Sequence, residues 1–481
     1  MKQNNISLII IGSLLLMPFA FINSGQAYAD SFKTQKESYV TLALDVANNS
    51  SITALLITND NLTNGFKFPQ APDGIGAVQL EDGKVELFIN HELENATEDG
   101  QDGFAKVSKI TLNQSDLSVI NGTLIINGTE GYEALCSSYL VDGQGFIHPV
   151  YFTNEETNNG LVISIDTVNN TIKELPWLGK FSHENTIPVP YFANTINKTV
   201  MIGFEDGDAT ESEVYLYVAD SPTDLLSDKG QLFVFGLENN DTINSTASNW
   251  ADIYYNNNTV GGKFIPLVWD HKLQNETDLH AEAIEKGGFQ FIRPEDGAMD
   301  KRQGFENVVY MLETGSDLDE NDEPIPASSV NGQNFTEGRI YKFTFTDPAD
   351  PTKVTIEVMA DGNDQSAPGH NVLINPDNLD TSLNSIMIQE DHNDYNRFEA
   401  TTPYNVTNNA KIIKIDLQTN EFTPIAYVNQ HEDENAKHGE WESSGIIDAS
   451  EYFGQGTWIL DVQAHSINEG GQLLFMNIPN S

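Results

Sequence analysis

Acidic side chains recur where apolar segments of this sequence end, and in the loops that precede those segments. Carboxylate oxygens are hard ligands that suit Ca²⁺. Because this many negative charges can lie close together only with cations between them, the pattern predicts an acidic metal site. For each acid taken alone, a solvated position or a hydrogen bond in a turn is the alternative. The candidate metal ligands are Glu92, Glu155, Glu156, Glu184, Glu205, Asp206, Glu295, Glu390 and Glu442.

Two further residues offer different chemistry. Cys136 is the only cysteine, and its thiolate is a ligand that iron accepts and that a calcium-only site does not need. The alternative is a small apolar filler of the core. Arg293 lies two positions before Glu295 and could grip a phosphate with two parallel hydrogen bonds. Its alternative is a structural salt bridge to a neighbouring acid.

Other catalytic signatures are missing from the sequence. We find no Gly-x-Ser-x-Gly, no His-Glu-x-x-His, no phosphate-binding glycine loop and no dinucleotide fingerprint. Covalent catalysis by serine is therefore not indicated. His91, His183, His392 and His465 occur in the acidic segments and could orient ligands or relay protons, or simply form structural hydrogen bonds.

One composite unit that positions these residues appears six times. A loop with a polar residue leads into an apolar strand that ends in acids or amides, and a second hairpin follows. The loop residues are Asp73, Cys136, Glu184, Glu295, Asp377 and Glu442, and the strand ends are 88–92, 151–156, 202–206, 310–314, 386–391 and 459–465. Repeats of this length and composition predict an all-β, six-bladed β-propeller with a central acidic metal-binding channel.

The rest of the sequence agrees with one large β domain over residues 30–481. Short runs rich in Val, Ile, Tyr and Phe are bounded by Gly, Asn, Asp and Pro, and no long window has the 3.6-residue period of an amphipathic helix. The longest gap between units contains an Asn- and Asp-rich stretch at 236–260, which we expect to be an insertion loop.

The amino terminus predicts export. Lys2, an apolar run over 6–22 and Ala27-Tyr28-Ala29 form a signal peptide over residues 1–29, with an uncleaved anchor as the alternative. We expect a secreted protein, extracytoplasmic and possibly retained at the cell surface. Asn-x-Ser/Thr sequons fit a glycoprotein, at Asn61, Asn95, Asn121, Asn127, Asn197, Asn275, Asn334 and Asn405.

The net charge limits the possible partners. With 24 basic and 71 acidic residues, the formal charge is −47, which repels nucleic acid and anionic membranes and attracts cations. We therefore expect no nucleic-acid partner. No later segment is apolar enough to span a bilayer, so no integral membrane association is expected either, and we expect a monomer.

Several of these segments together resemble the PhoX-type alkaline phosphatases. They keep that family's order over nearly the whole mature chain. The matching pieces are Asn90-His91-Glu92, Cys136 followed by Thr153-Asn154-Glu155-Glu156, 178–184, 214–220, Arg293-Pro294-Glu295, Gln389-Glu390-Asp391, and Glu442 with 462–465.

This resemblance implies a six-bladed propeller in which two ferric ions and several Ca²⁺ ions surround a bridging oxo group and phosphomonoesters are hydrolysed. It implies that Arg293 binds the phosphate, and that Glu295 acts in the catalytic centre as a ligand rather than as a proton donor. Glu156 and neighbouring acids would hold calcium. The residues implied as iron and bridging ligands are Glu92, Cys136, Glu184 and Glu295.

The chain also departs from the typical family pattern. Residues 137–143 replace a glycine-rich stretch with Thr-Pro-Trp-Gly, and Arg293-Pro294-Glu295 continues as Asp296-Gly297, which indicates a divergent branch. Two other functions stay open from the residues alone. One is a non-enzymatic extracellular propeller stabilised by calcium, and the other is a calcium-dependent propeller hydrolase that acts on phytate or lactones.

Overall fold

The computed structural model describes most of the chain after the predicted signal peptide. Residues 1–29, His392, much of the predicted insertion and the sequons at Asn95, Asn334 and Asn405 lie outside the described residues. The described residues are 31–94, 103–207, 212–238, 253, 259–318, 324–325, 336–370, 372–391, 410–429, 441–465, 470–479 and 481.

The described residues form an all-β structure with few helices. In the first half, the strands are β1 (Val40–Leu42), β2 (Ser51–Ile57), β3 (Pro72–Leu80), β4 (Lys84–His91), β5 (Lys106–Asn113), β6 (Val119–Ile126), β7 (Leu135–Val141), β8 (Val150–Glu155), β9 (Val162–Asp166), β10 (Ile172–Glu174), β11 (His183–Pro188), β12 (Thr199–Glu205), β13 (Val214–Ala219) and β14 (Gly230–Leu237).

The second half continues in the same way. Its strands are β15 (Val260–Pro266), β16 (Pro294–Met299), β17 (Val308–Glu313), β18 (Asp317–Leu318), β19 (Pro324–Ile325), β20 (Arg339–Phe345), β21 (Lys353–Asp361), β22 (Pro376–Thr381), β23 (Ser385–Glu390), β24 (Lys411–Asp416), β25 (Phe422–Val428), β26 (Trp441–Asp448), β27 (Thr457–Ala464) and β28 (Gly470–Asn477). The helices are α1 (Pro190–Ile196), α2 (Pro222–Leu225), α3 (Glu276–Lys286) and α4 (Ser450–Phe453), with a 3₁₀ turn at Pro176–Leu178.

The strands assemble into antiparallel sheets of a propeller-like fold. Three sheets have four strands, in the orders β3-β4-β5-β6, β10-β9-β8-β7 and β2-β28-β27-β26, and a fourth has five, β1-β25-β24-β23-β22. The other strands of the repeat belong to one nine-stranded sheet, β11-β12-β13-β14-β15-β21-β20-β17-β16. The all-β prediction is confirmed, while the predicted six blades do not form six separate sheets.

One hairpin geometry recurs six times within these sheets. In each case a first strand pairs with the next strand and contains a bulge near its start, and the pairs are β3/β4, β7/β8, β11/β12, β16/β17, β22/β23 and β26/β27. We call β3, β7, β11, β16, β22 and β26 the inner strands. The second residue of each inner strand is a loop residue predicted from the repeat.

The two ends of the described chain are tied into the last two of these sheets. Strand β2 pairs with β28 along its whole length, and β1 pairs with β25. A sheet that contains both chain ends can close a ring of sheets without leaving an open edge. The apolar core therefore includes residues from both ends, such as Leu56 and Trp458, which are fully buried.

Turn chemistry and helix length agree with the sequence. Asp82 and Gly83 lie in the three-residue loop between β3 and β4, with φ of 62° and 69°, the left-handed conformation that Asp and Gly tolerate in turns. No helix among the described residues is long and apolar enough to cross a membrane.

Substituting Leu56 by alanine tests the contribution of the closing strand. Leu56 lies opposite Leu473 of β28 and is 0% exposed, so Leu56→Ala should lower the free energy of unfolding by about 2–5 kcal/mol. Urea denaturation measures the loss. The control Leu44→Ala, at a side chain that is 94% exposed, should change it by less than about 0.5 kcal/mol. Equal effects would contradict a closing role for β2.

Candidate metal centre

The second residue of every inner strand is a potential metal ligand. These six residues, which we call the inner set, are Asp73, Cys136, Glu184, Glu295, Asp377 and Glu442. All except Asp377 are buried. In the first five hairpins this residue lies inside the bulge, so residues far apart in sequence occupy equivalent positions. In the sixth, Glu442 lies two residues before the bulge.

A second set of polar residues follows the partner strand of each hairpin. These residues, which we call the strand-end set, are Glu92, Glu156, Asp206, Thr314, Asp391 and His465. In five of the hairpins, the backbone N–H of the strand-end residue donates to the carbonyl oxygen of the residue that directly precedes the inner strand. These acceptor residues are Ala71, Ala134, Ser182, Arg293 and Asn375. This repeated bond fixes the strand-end side chain beside the inner set.

Local backbone geometry explains how the inner strands begin. Ala71, Ala134, Arg293 and Asn375 have φ between 43° and 51°, a left-handed conformation that is costly for non-glycine residues and is often found at functional sites. Gly74 permits the close approach of two inner strands, because a Cβ there would lie 2.6 Å from the Cys136 carbonyl oxygen. The chain thus brings Asp73 next to Cys136.

Three overlapping groups of side chains have the spacing of metal ligands. In each group the ligand atoms lie within 4.8 Å of one another, and the groups are Asp73–Glu92–Cys136, Cys136–Glu156–Glu184 and Glu184–Glu295–Asp377. Cys136 belongs to the first two groups and Glu184 to the last two. The seven residues therefore form one continuous cluster that draws on five of the six hairpins.

Several oxygen atoms in this cluster have no protein partner. Asp73 Oδ2 accepts hydrogen bonds from Ser444 Oγ at 2.7 Å and Gln463 Nε2 at 3.0 Å, and the Cys136 thiol lies 3.6 Å away. Among the described residues, however, nothing donates to the buried atoms Asp73 Oδ1 and Glu184 Oε1. An unpaired buried carboxylate oxygen is costly, so both atoms are suited to a bound cation.

Mutual repulsion and burial raise the pKa values of the whole cluster. Burial first, and then the charge of Asp73, raise the pKa of Glu92 to about 8. Burial and neighbouring carboxylates raise the pKa values of Glu156, Glu184, Glu295 and Asp377 well above their ordinary range. Burial and the same carboxylates also raise the pKa of the Cys136 thiol. Nearby cations would reverse these shifts, since they favour the charged forms.

Arg293 lies at the edge of the cluster in an ion-pair network. Its Nε and Nη2 atoms donate to the two oxygens of Asp206 at 3.0 and 2.9 Å, and Nη2 lies 3.2 Å from Glu295 Oε1. The predicted ligand Asp206 therefore holds the guanidinium in a fixed plane. About a fifth of the Arg293 side chain remains exposed.

Five predicted ligands lie outside the cluster: Asp206 and Glu442, which have other partners, and three residues at strand ends. Glu155, Glu205 and Glu390 are the last residues of β8, β12 and β23. Their carboxylates accept backbone N–H groups from Glu133, Glu213 and Ile374 respectively, and Lys411 lies 2.8 Å from Glu390. These bonds connect neighbouring segments at the strand ends, and the residues' metal-binding role stays a prediction.

The last hairpin contributes a carboxylate paired with a histidine. His465 Nε2 lies 2.8 Å from Glu442 Oε1, and Glu442 is among the charges that raise the pKa of Glu92. His91 instead contacts the Gln70 carbonyl and Ser108 Oγ, at 2.8 and 2.7 Å, and burial lowers the pKa of His183 to about 3. These two histidines are therefore neutral structural groups.

The structure brings together half of the predicted ligands and adds two. Glu92, Cys136, Glu156, Glu184 and Glu295 all belong to the cluster. Asp73 and Asp377 join them, although the sequence identified them only as loop residues of the repeat. Their position in that repeat, equivalent to Cys136 and Glu295, was the signal that could have placed them among the ligands.

Comparison of the sequence with known families gives one match. The family described as alkaline phosphatase PhoX matches residues 138–437, more than half of the chain. The matched range includes Glu156, Glu184, Arg293, Glu295 and Asp377. A comparison with curated protein sequences gives no significant match.

The chain is similar to several solved structures. Pseudomonas fluorescens PhoX in complex with vanadate, a transition state analogue, is similar with a TM-score of 0.60 at 14% identity, over 93% of this chain and 97% of that chain. A Fusarium graminearum α-L-arabinofuranosidase has a TM-score of 0.41 at 9% identity, over 88% and 97%. The NanB sialidase of Streptococcus pneumoniae has 0.44 at 7%, over 89% and 71%.

The raised pKa of Glu92 predicts how the stability of chelated protein depends on pH. Because its pKa rises from 4.5 to about 8, the folded state binds more protons than the unfolded state between these values. Stability therefore falls as pH rises from about 5 to 8. Urea unfolding with EDTA measures this slope, which Glu92→Gln should flatten.

The exposed residue Glu81 provides the control for this experiment. Glu81→Gln should leave the slope as in wild type, since Glu81 lies in the β3–β4 turn region away from the cluster. A wild-type stability that is constant or rises over this pH range would contradict the strained, unneutralised cluster. Added Ca²⁺ should reverse the slope, because ligands bind metal when deprotonated.

Proposed function

This chain belongs to the alkaline phosphatase PhoX family, and we propose that it hydrolyses phosphomonoesters at an iron and calcium centre. The resemblance seen in the short sequence motifs is confirmed by the family match and by the similarity in fold to Pseudomonas PhoX. The observation that carries the proposal is the continuous cluster of seven ligand residues joined through Cys136 and Glu184.

We interpret the fold as six blades around a central acidic channel. In the nine-stranded sheet, β11 to β14 and the set β16, β17, β20 and β21 each repeat the arrangement of the separate four-stranded sheets. Strand β15 connects these two sets by pairing with β14 on one side and β21 on the other. Each blade would then contribute one inner strand to the channel.

The cluster fits the metals that the family implies. A thiol among carboxylates is a donor set that iron accepts, and purely oxygen groups suit Ca²⁺. The unpartnered oxygens of Asp73 and Glu184 agree with such occupancy. We assign Glu92, Cys136, Glu184 and Glu295 to the iron ions, together with Asp73. Glu156, Asp377 and neighbouring acids would hold calcium.

Bound metal ions would supply positive charge that neutralises the phosphate and stabilises the negative charge on the phosphoryl and leaving-group oxygens in the transition state. Arg293 would donate to a non-bridging phosphate oxygen, and its pairing with Asp206 and Glu295 holds the guanidinium ready for that contact. A preorganised donor of this kind needs little rearrangement during reaction. Glu295 would thus serve both as a ligand and as a support for Arg293.

The cellular setting and substrate follow as further proposals. The predicted signal peptide supports secretion, with possible retention at the cell surface, and the high negative charge suits a protein that draws calcium from its surroundings. The family supports a small phosphorylated substrate. We propose a monomer.

Metal analysis with activity tests the assignment of Cys136. Wild type should contain about two iron ions per chain with additional calcium and hydrolyse p-nitrophenyl phosphate, whereas Cys136→Ala should lose both iron and activity. Ser164→Ala, which also truncates a small side chain that is nearly buried in β9, should retain both. Iron and activity retained in Cys136→Ala would contradict the assignment, and calcium without iron or turnover would indicate a structural propeller.

Arg293 is tested by steady-state kinetics. Arg293→Ala should lower kcat/KM by roughly 10²–10³, as expected for a lost transition-state donor, while the metal content stays unchanged. Arg302→Ala is the matched control, because Arg302 also pairs with a carboxylate, that of Asp300, but is remote from the cluster in its contacts. A fall in kcat/KM that is equal in both variants would contradict phosphate binding by Arg293.

A further inference from the structure

One position of the repeated hairpins is acidic in most of them, but among the described residues only the last hairpin leaves its carboxylate without a donor. The position pairs with the inner-strand residue just before the bulge, and four other hairpins place Glu155, Glu205, Glu313 and Glu390 there. Each of these glutamates accepts a hydrogen bond from a backbone N–H. The sixth hairpin places Asp461 there, in β27.

Asp461 has no hydrogen-bond donor within the part of the chain that the structure describes. Its side chain is 0% exposed, and both carboxylate oxygens are buried without a partner. Other buried carboxylates outside the cluster are well supported. Asp361 pairs with Arg339 at 2.8 Å, and Asp300 accepts hydrogen bonds from Tyr310 and Arg302. Burying an ionised carboxylate without a partner is strongly unfavourable.

The surroundings of Asp461 supply oxygen atoms and negative charge. A Cβ on Gly445 would lie 2.5 Å from the carbonyl oxygen of Asp73 and 3.2 Å from Asp461 Oδ1, so both oxygens lie against the same glycine. The charged groups that act on Asp461 are Asp73 and Glu442, and both are acidic. The protein thus offers this carboxylate no compensating positive charge.

We propose that Asp461 binds an additional hard cation, of the class of Ca²⁺, where the sheet containing both chain ends meets β3. Carboxylate and carbonyl oxygens are the ligands that such cations take. Asp73 offers its backbone carbonyl oxygen. Asp461 is not a member of the three groups that form the candidate metal centre, so this site is additional to them.

The location gives the site a role in closing the ring of sheets. Strand β27 lies between β26 and β28 in the sheet that β2 completes, and both β26 and β27 contact β3. A cation at Asp461 would connect this last sheet to the first one. Its binding should therefore stabilise the junction of the two chain ends independently of phosphate hydrolysis.

Two substitutions of Asp461 test the site by metal content. After dialysis against Ca²⁺, Asp461→Asn and Asp461→Met should each contain about one calcium ion per chain fewer than wild type, with iron unchanged. Methionine replaces the carboxylate by an apolar side chain that needs no hydrogen-bond donor, so Asp461→Met remains informative if the asparagine variant does not fold. Calcium content equal to that of wild type in the folded variants would overturn the proposal.

Thermal unfolding gives a second, independent measurement. Ca²⁺ should raise the Tm of wild type more than that of Asp461→Met, and in EDTA the methionine variant should melt at or above wild type, because a buried charge has been removed. Glu313→Gln is the control, since Glu313 is equally buried but accepts from the Ile292 N–H at 2.7 Å, and it should respond to Ca²⁺ like wild type. An equal rise in Tm with Ca²⁺ for Asp461→Met and wild type would contradict the proposal, because it would show that Asp461 binds no cation.

Discussion

Repulsion among buried carboxylates is the interaction on which the centre of this protein depends. Glu92, Asp73, Glu184 and Glu295 lie in a continuous cluster in which burial and like charges raise every pKa. A fold can tolerate this arrangement only if protons or cations compensate the charge. At neutral pH, cations do so with a larger gain, because each one satisfies several carboxylates at once.

The hairpin repeat is the means by which the chain builds this cluster. Each of the first five inner strands presents its second residue inside a bulge, where the backbone changes direction. A fixed N–H to carbonyl bond then places the strand-end residue next to it. Cys136 and Glu184 occupy the same position in neighbouring hairpins, which explains why two residues 48 positions apart in the sequence share one ligand group.

The sequence predicted the fold class and five cluster members because ligand positions recur with the repeat. The sequence could not show that Glu155, Glu205 and Glu390 lie outside the cluster. Adjacent residues at a strand end point to opposite sides of the sheet, and the pairing register decides which side faces the cluster. Asp461 could be recognised only from the structure, because what distinguishes it is that no described group donates a hydrogen bond to its buried carboxylate. The joining of two four-stranded sets through β15 depends on long-range pairing that local patterns do not encode.

Anomalous X-ray diffraction from crystals of the metal-loaded protein tests the central claim most directly. Difference maps collected above and below the iron absorption edge locate iron without reference to activity. The account predicts iron density within bonding distance of Cys136 Sγ and flanked by Glu92 and Glu184, with lighter cations beside Glu156 and Asp377. A cluster in which Cys136 contacts only protein atoms, with protonated carboxylates bonded to one another, would contradict it.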